Sequence, residues 1–137
     1  MQVNTESKCV GTLLVVDDNE SYLQMLAWRF EDIGYRVITA RDCREAIAST
    51  GGIHFDVGLI DYYLPDNDGC WLVQKLNEKH SEACFIIMSA DLPAVLTRKQ
   101  PEKPFLTMFD KPLDTTLVAD LIGACMSHRQ SGQNGVI

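Results

Sequence analysis

The sequence predicts an α/β domain in which a five-stranded parallel sheet carries helices on both faces. Two observations lead there. Short β-rich runs alternate with longer stretches of helical periodicity, and parallel neighbours need such crossover connections. The first run, Leu13–Val16, is apolar without a break, as expected of a strand covered on both sides. At 137 residues, 46% hydrophobic and 23% charged, the chain is long enough to bury one core and ordinary for a globular domain.

Leu13–Val16 is therefore the first strand. Residues 20–33 follow with Leu23, Leu26, Ala27 and Phe30 on one helical stripe, and Gly34 is placed to cap that helix. Arg36–Ala40 reads as the second strand. Cys43, Ala46 and Ile47 mark a short helix that stops at Gly51 and Gly52. Val57–Ile60 is the third strand, and Leu64–Gly69 is a loop dense in turn formers. A helix over Cys70–Lys79, a fourth strand at Phe85–Met88 and a fifth at Leu106–Phe109 follow. Between the last two, Pro93, Pro101 and Pro104 leave room only for a short or irregular fourth helix. The last helix is expected over Thr115–Ser127, with Leu117, Val118, Leu121, Ile122 and Cys125 on one side. The resulting division is an N-terminal arm over 1–11, a domain over 12–127 and a frayed polar tail over 128–137.

Composition excludes several classes. Twelve basic against nineteen acidic residues, a net charge of −7, argue against a surface built to wrap nucleic acid. No apolar run reaches the length of a membrane span, and Cys9–Val16 runs into Asp17 and Asp18 without a signal-peptide cleavage site. Five scattered cysteines without a CxxC pair read as reduced packing residues in a cytoplasmic protein. His54, His80 and His128 show no zinc-ligand spacing.

In parallel sheets, function gathers at the carboxyl ends of the strands. Here the first strand ends in Asp17 and Asp18, the third in Asp61, the fourth in Ser89 and the fifth in Asp110, Lys111 and Pro112. Three carboxylates brought to one sheet edge repel unless a cation sits among them, and an oxygen-only donor set suits Mg²⁺. Together with the Lys111 ammonium and the Ser89 hydroxyl, they describe a phosphoryl-transfer pocket, with Asp61 the best candidate nucleophile. Taken singly, Asp17 and Asp18 also fit helix capping, and Ser89 fits a turn cap. Tyr62 and Tyr63 fit either pocket gatekeepers or packed loop aromatics.

The blocks LLVVDDN, VGLIDYYLPDNDG, FIIMSA and FDKP, in this order, resemble the signature blocks of the CheY-like receiver domain of two-component response regulators. The resemblance covers nearly the whole chain. It implies a flavodoxin-like sheet of order 2-1-3-4-5. It also implies Asp61 as phosphoacceptor, and Asp17, Asp18, Asp61 and the Tyr63 backbone carbonyl as Mg²⁺ ligands. Ser89 would be the switch hydroxyl, Lys111 the lysine that pairs with the phosphoryl group, and Lys111–Pro112 a cis bond. The sequence departs from the family pattern at Met108, where the aromatic switch residue usually stands. The function so implied is that of a stand-alone receiver, not a conventional enzyme, with self-catalysed phosphoryl acceptance and autodephosphorylation.

The implied partners are a sensor histidine kinase or histidine phosphotransfer protein and a downstream protein target, with the chain a monomer or weak homodimer. The few residues after the last helix are too short for a DNA-binding module, so output is expected through protein contacts. Two rival readings are a docking receiver that works without phosphorylation and a small aspartyl-phosphate phosphatase of the haloacid-dehalogenase type. Tyr63 stands where the second aspartate of the phosphatase DxD pattern would be.

Overall fold

The computed structural model describes residues 9–91 and 105–134. Its sheet has five parallel strands in the order β2-β1-β3-β4-β5. They are β1 (Gly11–Val16), β2 (Tyr35–Ala40), β3 (Val57–Asp61), β4 (Cys84–Ser89) and β5 (Phe105–Asp110). Four helices accompany them among the described residues: α1 (Glu20–Ile33), α2 (Cys43–Ser49), α3 (Gly69–Asn77) and α4 (Thr115–Asn134). This is the flavodoxin-like arrangement expected. The short fourth helix expected between β4 and β5 falls on 92–104, outside the described residues, as do 1–8 of the arm.

The unbroken apolar run of β1 is explained by its two covered faces. Successive strand residues point to opposite sides. Leu14 and Val16 therefore join Ile60, Ile87, Leu72, Val73 and Leu76 in one core cluster. Leu13 and Val15 join Leu59, Ile86, Leu26, Phe30, Val118 and Ile122 in the other. The helical stripe of α1 fills the second cluster. Its start is capped by Asn19, which accepts the Tyr22 N–H at 3.0 Å, and its end by Gly34, at φ 117°, where a side chain would be strained.

Two expectations need correction at their ends. Strands β3, β4 and β5 each extend past their apolar runs, because the polar residues Asp61, Ser89 and Asp110 still pair, Asp61 with Met88 and Ser89 with Asp110. The last helix runs to Asn134 rather than Ser127, so most of the segment expected to fray is helical backbone. No proline interrupts it, and Gly132 is accommodated within it at a cost of about 1 kcal/mol relative to alanine.

Candidate functional site

Strand ends and the loops that follow them assemble the site. Asp17 directly follows β1 and is fully buried; its Oδ1 accepts the Asn19 N–H at 2.9 Å, tying it to the start of α1. Asp61 closes β3 and is 4% exposed, whereas Asp18 sits exposed at the rim. Carboxylate oxygens of Asp17, Asp18 and Asp61 lie within 4.8 Å of one another. Lys111 reaches in from the turn after β5, its Nζ 2.8 Å from Asp17 Oδ2 and 3.4 Å from Asp61 Oδ2. The Lys111–Pro112 peptide is cis.

The charges do not balance. One ammonium faces three carboxylates, two of them buried. Burial, followed by the charge of Asp17, pushes the Asp61 carboxyl up to about 6, against the pull of Lys111 and the Tyr63 N–H. Burial opposes the charge on Lys111, but Asp17 and Asp61 outweigh it and raise its pKa. Asp17 Oδ2 is buried against the Lys111 ammonium at 2.8 Å and meets no other donor among the described residues. Such a buried oxygen, in an all-oxygen set carrying excess negative charge, fits a hard divalent cation.

The remaining predicted residues surround this centre. Ser89 is fully buried at the end of β4, one residue beyond Met88, the partner of Asp61; its Oγ accepts the Asp91 N–H at 2.9 Å. Its observed contact is thus a turn cap beside the pocket. Tyr63 donates its N–H to Asp61 Oδ1 at 3.4 Å, and its side chain is 41% exposed at the rim, while Tyr62 is packed inside at 4%. Their rings meet edge-on at 4.9 Å. Met108 pairs with Ile87 and packs, half-buried, against the cluster beneath α2 and α3.

Three contributors were not singled out in the sequence. Gly69, read there only as a turn former, opens α3 so close to β3 that a Cβ would lie 2.5 Å from the Asp61 carbonyl oxygen. Asp66, in the same loop, accepts the N–H groups of Cys43 and Arg44, both at 3.0 Å, and so caps α2 from a distance. Tyr22, half-buried on α1, accepts the Leu113 N–H at 2.8 Å. Among the thiols, burial pushes Cys43 up to about 12 and Cys70 up to about 11, which keeps both protonated, as packing residues should be. None of the five cysteines is in a disulfide, although the Cys84 and Cys125 sulfurs are 3.4 Å apart. No described helix is long and apolar enough to cross a membrane.

The sequence and the fold both have known relatives. The family profile described as the response regulator receiver domain matches residues 13–122. The alkaline phosphatase synthesis transcriptional regulatory protein PhoP of Bacillus subtilis is 35% identical over 108 residues, which cover 79% of this chain but 39% of that protein. A signal receiver domain of an HD domain-containing protein from Pseudomonas fluorescens superimposes with a TM-score of 0.77 at 21% identity, covering 88% of this chain and 98% of its own. A Burkholderia pseudomallei response regulator, solved with a phosphorylated aspartic acid, a calcium ion and citrate, has a TM-score of 0.68 at 21% identity and covers 93% of this chain and 76% of its own.

Proposed function

The chain belongs to the response regulator receiver domain family, and from that premise we propose that it accepts a phosphoryl group from a phosphohistidine onto Asp61 in a Mg²⁺-dependent reaction. The carrying observation is Asp61 itself. It is buried at the end of a central strand, with Lys111 at 3.4 Å and the Asp17 and Asp18 carboxylates gathered beside it. An Asp61 oxygen attacks phosphorus, the phosphorus–nitrogen bond breaks, and its electron pair leaves on the donor imidazole, forming an acyl phosphate. Above pH 6 the Asp61 carboxylate is mostly ionised and ready to attack. Asp17, Asp18, Asp61 and the Tyr63 carbonyl would hold Mg²⁺, which supplies positive charge against the phosphoryl oxygens.

The Lys111 ammonium then pairs with a phosphoryl oxygen. The Ser89 hydroxyl leaves its contact with the Asp91 N–H and donates to another, and this movement biases the turns after β4 and β5 toward a second arrangement. Water attacking phosphorus restores Asp61 and releases phosphate. The chemistry is confined to the protein's own aspartate, so the chain is a signalling receiver rather than an enzyme with an external substrate. Its phosphodonor is a sensor histidine kinase or histidine phosphotransfer protein of the cytoplasm. Its output is contact with a protein target. A second reading, docking without phosphorylation, draws on Met108, whose thioether lacks the hydroxyl an aromatic switch residue can supply.

Intact-mass analysis after incubation with acetyl phosphate tests the proposal. A gain of about 80 Da that requires Mg²⁺ and disappears in Asp61→Asn is expected. Persistent single-site labelling of that variant would sink the assignment of Asp61.

A further inference from the structure

The lysine of the pocket is held from a direction that its carboxylate partners do not account for. The face of the Tyr22 ring lies 4.9 Å from Lys111 Nζ, measured to the ring centroid. The Tyr22 hydroxyl accepts the Leu113 N–H at 2.8 Å, across 91 residues of sequence. Pro112 has no N–H, so Lys111 and Leu113 supply the two backbone donors of this turn. The Lys111 N–H goes to the Ser89 carbonyl at 2.9 Å. The peptide bearing the lysine is thus anchored to β4 on one side and to α1 on the other. Tyr22 lies in the first turn of α1, whose Asn19 cap bonds both the Tyr22 N–H and, through its own N–H, Asp17. One helix start therefore orients Asp17 and the group that faces it.

We propose that Tyr22 is a positioning residue for Lys111, its hydroxyl fixing the turn and its ring face supporting the ammonium. An ammonium over an aromatic face is attracted by the ring quadrupole, more so when partly desolvated. The Lys111 side chain is 17% exposed, which meets that condition. Burial raises the Tyr22 phenol above its ordinary value, so it stays a neutral acceptor for Leu113. The ring contact has a consequence for the reaction. When cation binding and phosphorylation change the charge on Asp17 and Asp61, the ring keeps the ammonium within reach of the new phosphoryl oxygens.

The effect on reaction rests on the receiver reading, whereas the effect on Lys111 does not, and two measurements on the full chain separate them. The first is the NMR shift of the Lys111 Cε protons, assigned with Lys111→Arg. A ring-current displacement is expected in the wild type and in Tyr22→Phe, and its loss in Tyr22→Leu. The second is the rate of acetyl phosphate labelling across a Mg²⁺ titration. Tyr22→Leu should label about five- to tenfold more slowly, and Tyr22→Phe within about threefold of wild type. The Mg²⁺ concentration giving half the maximal rate should stay the same in all three, which a general loosening of the fold would not allow. Wild-type labelling by Tyr22→Leu, equal losses in Leu and Phe, or a Lys111 shift indifferent to Tyr22→Leu would each overturn the proposal. A wild type that never labels, with the Lys111 shift lost only in Tyr22→Leu, would overturn the receiver reading while supporting Tyr22 as the support of Lys111.

Discussion

Replacing Asp61 by asparagine keeps the shape of the side chain and removes a buried charge, and the structure says in which direction stability moves. The Asp61 carboxyl sits at about 6 against an ordinary value of 3.8, because burial and the charge of Asp17 oppose its ionisation. The folded protein therefore holds a proton at Asp61 that the unfolded chain releases. Stability from this group is complete below pH 3.8, falls as pH rises toward 6, and is lost above it. A displacement of about two units corresponds to roughly 3 kcal/mol. Asp61→Asn escapes that penalty but gives up the 3.4 Å contact with Lys111, so a net gain of about 1–3 kcal/mol at pH 7.5 is expected.

Urea unfolding of both proteins without divalent cations, at several values between pH 4.5 and 7.5, measures the difference directly. Subtracting one curve from the other removes the groups the two proteins share. The variant's advantage should grow through pH 4–6 and level off above it. An Asp61→Asn protein less stable than wild type at pH 7.5, or an advantage independent of pH, would refute the electrostatic reasoning. Added Mg²⁺ should reverse the ranking by stabilising the wild type in proportion to its binding, since the cation answers the same excess charge.

The other expectations concern neighbours of this carboxylate. Lys111→Ala leaves Asp17 and Asp61 without their ammonium, so stability in metal-free buffer should fall by about 3 kcal/mol. In the same variant the tryptophan fluorescence response to a phosphoryl mimic should be blunted more than Mg²⁺ affinity, and equal losses in a paired titration would count against the role of Lys111. Gly69→Ala places a methyl 2.5 Å from the Asp61 carbonyl oxygen; a loss of about 2 kcal/mol on unfolding and slower labelling are expected, because the backbone carrying the nucleophile must shift. Asp68→Ala removes the acceptor of the Trp71 N–H at the start of α3, and its melting temperature should drop by an amount equivalent to about 1 kcal/mol.

Much of the fold was legible because it is written in local periodicity. The unbroken Leu13–Val16 run, the α1 stripe ending at Gly34 and the apolar runs of β3 and β4 each declare their element within a dozen residues. The pocket was legible for a related reason: parallel strands deliver their carboxyl ends to one edge, so Asp17, Asp61, Ser89 and Lys111 could be placed together from strand ends alone. The end of α4 was not legible, since the apolar stripe stops near Ser127, while Gly132, a residue that commonly ends helices, lies inside the helix. Ser89 remained open between switch and turn cap, and its observed partner is the Asp91 N–H.

What the sequence by itself determined is therefore the order of strands and helices, the two-sided burial of β1 and the identity of the groups at the sheet edge. Tertiary structure decided how those groups stand toward one another. Asp17 Oδ2 facing Lys111 at 2.8 Å and the Tyr22 hydroxyl taking the Leu113 N–H join segments distant in sequence, and Gly69 is pressed onto the Asp61 backbone across the loop between β3 and α3. Such contacts depend on strand register and on close packing of helices against the sheet, where shifts of an ångström decide which atoms meet. Periodicity tells which face a residue occupies. Only the packed fold sets the distances on which charge, cation binding and phosphoryl transfer depend.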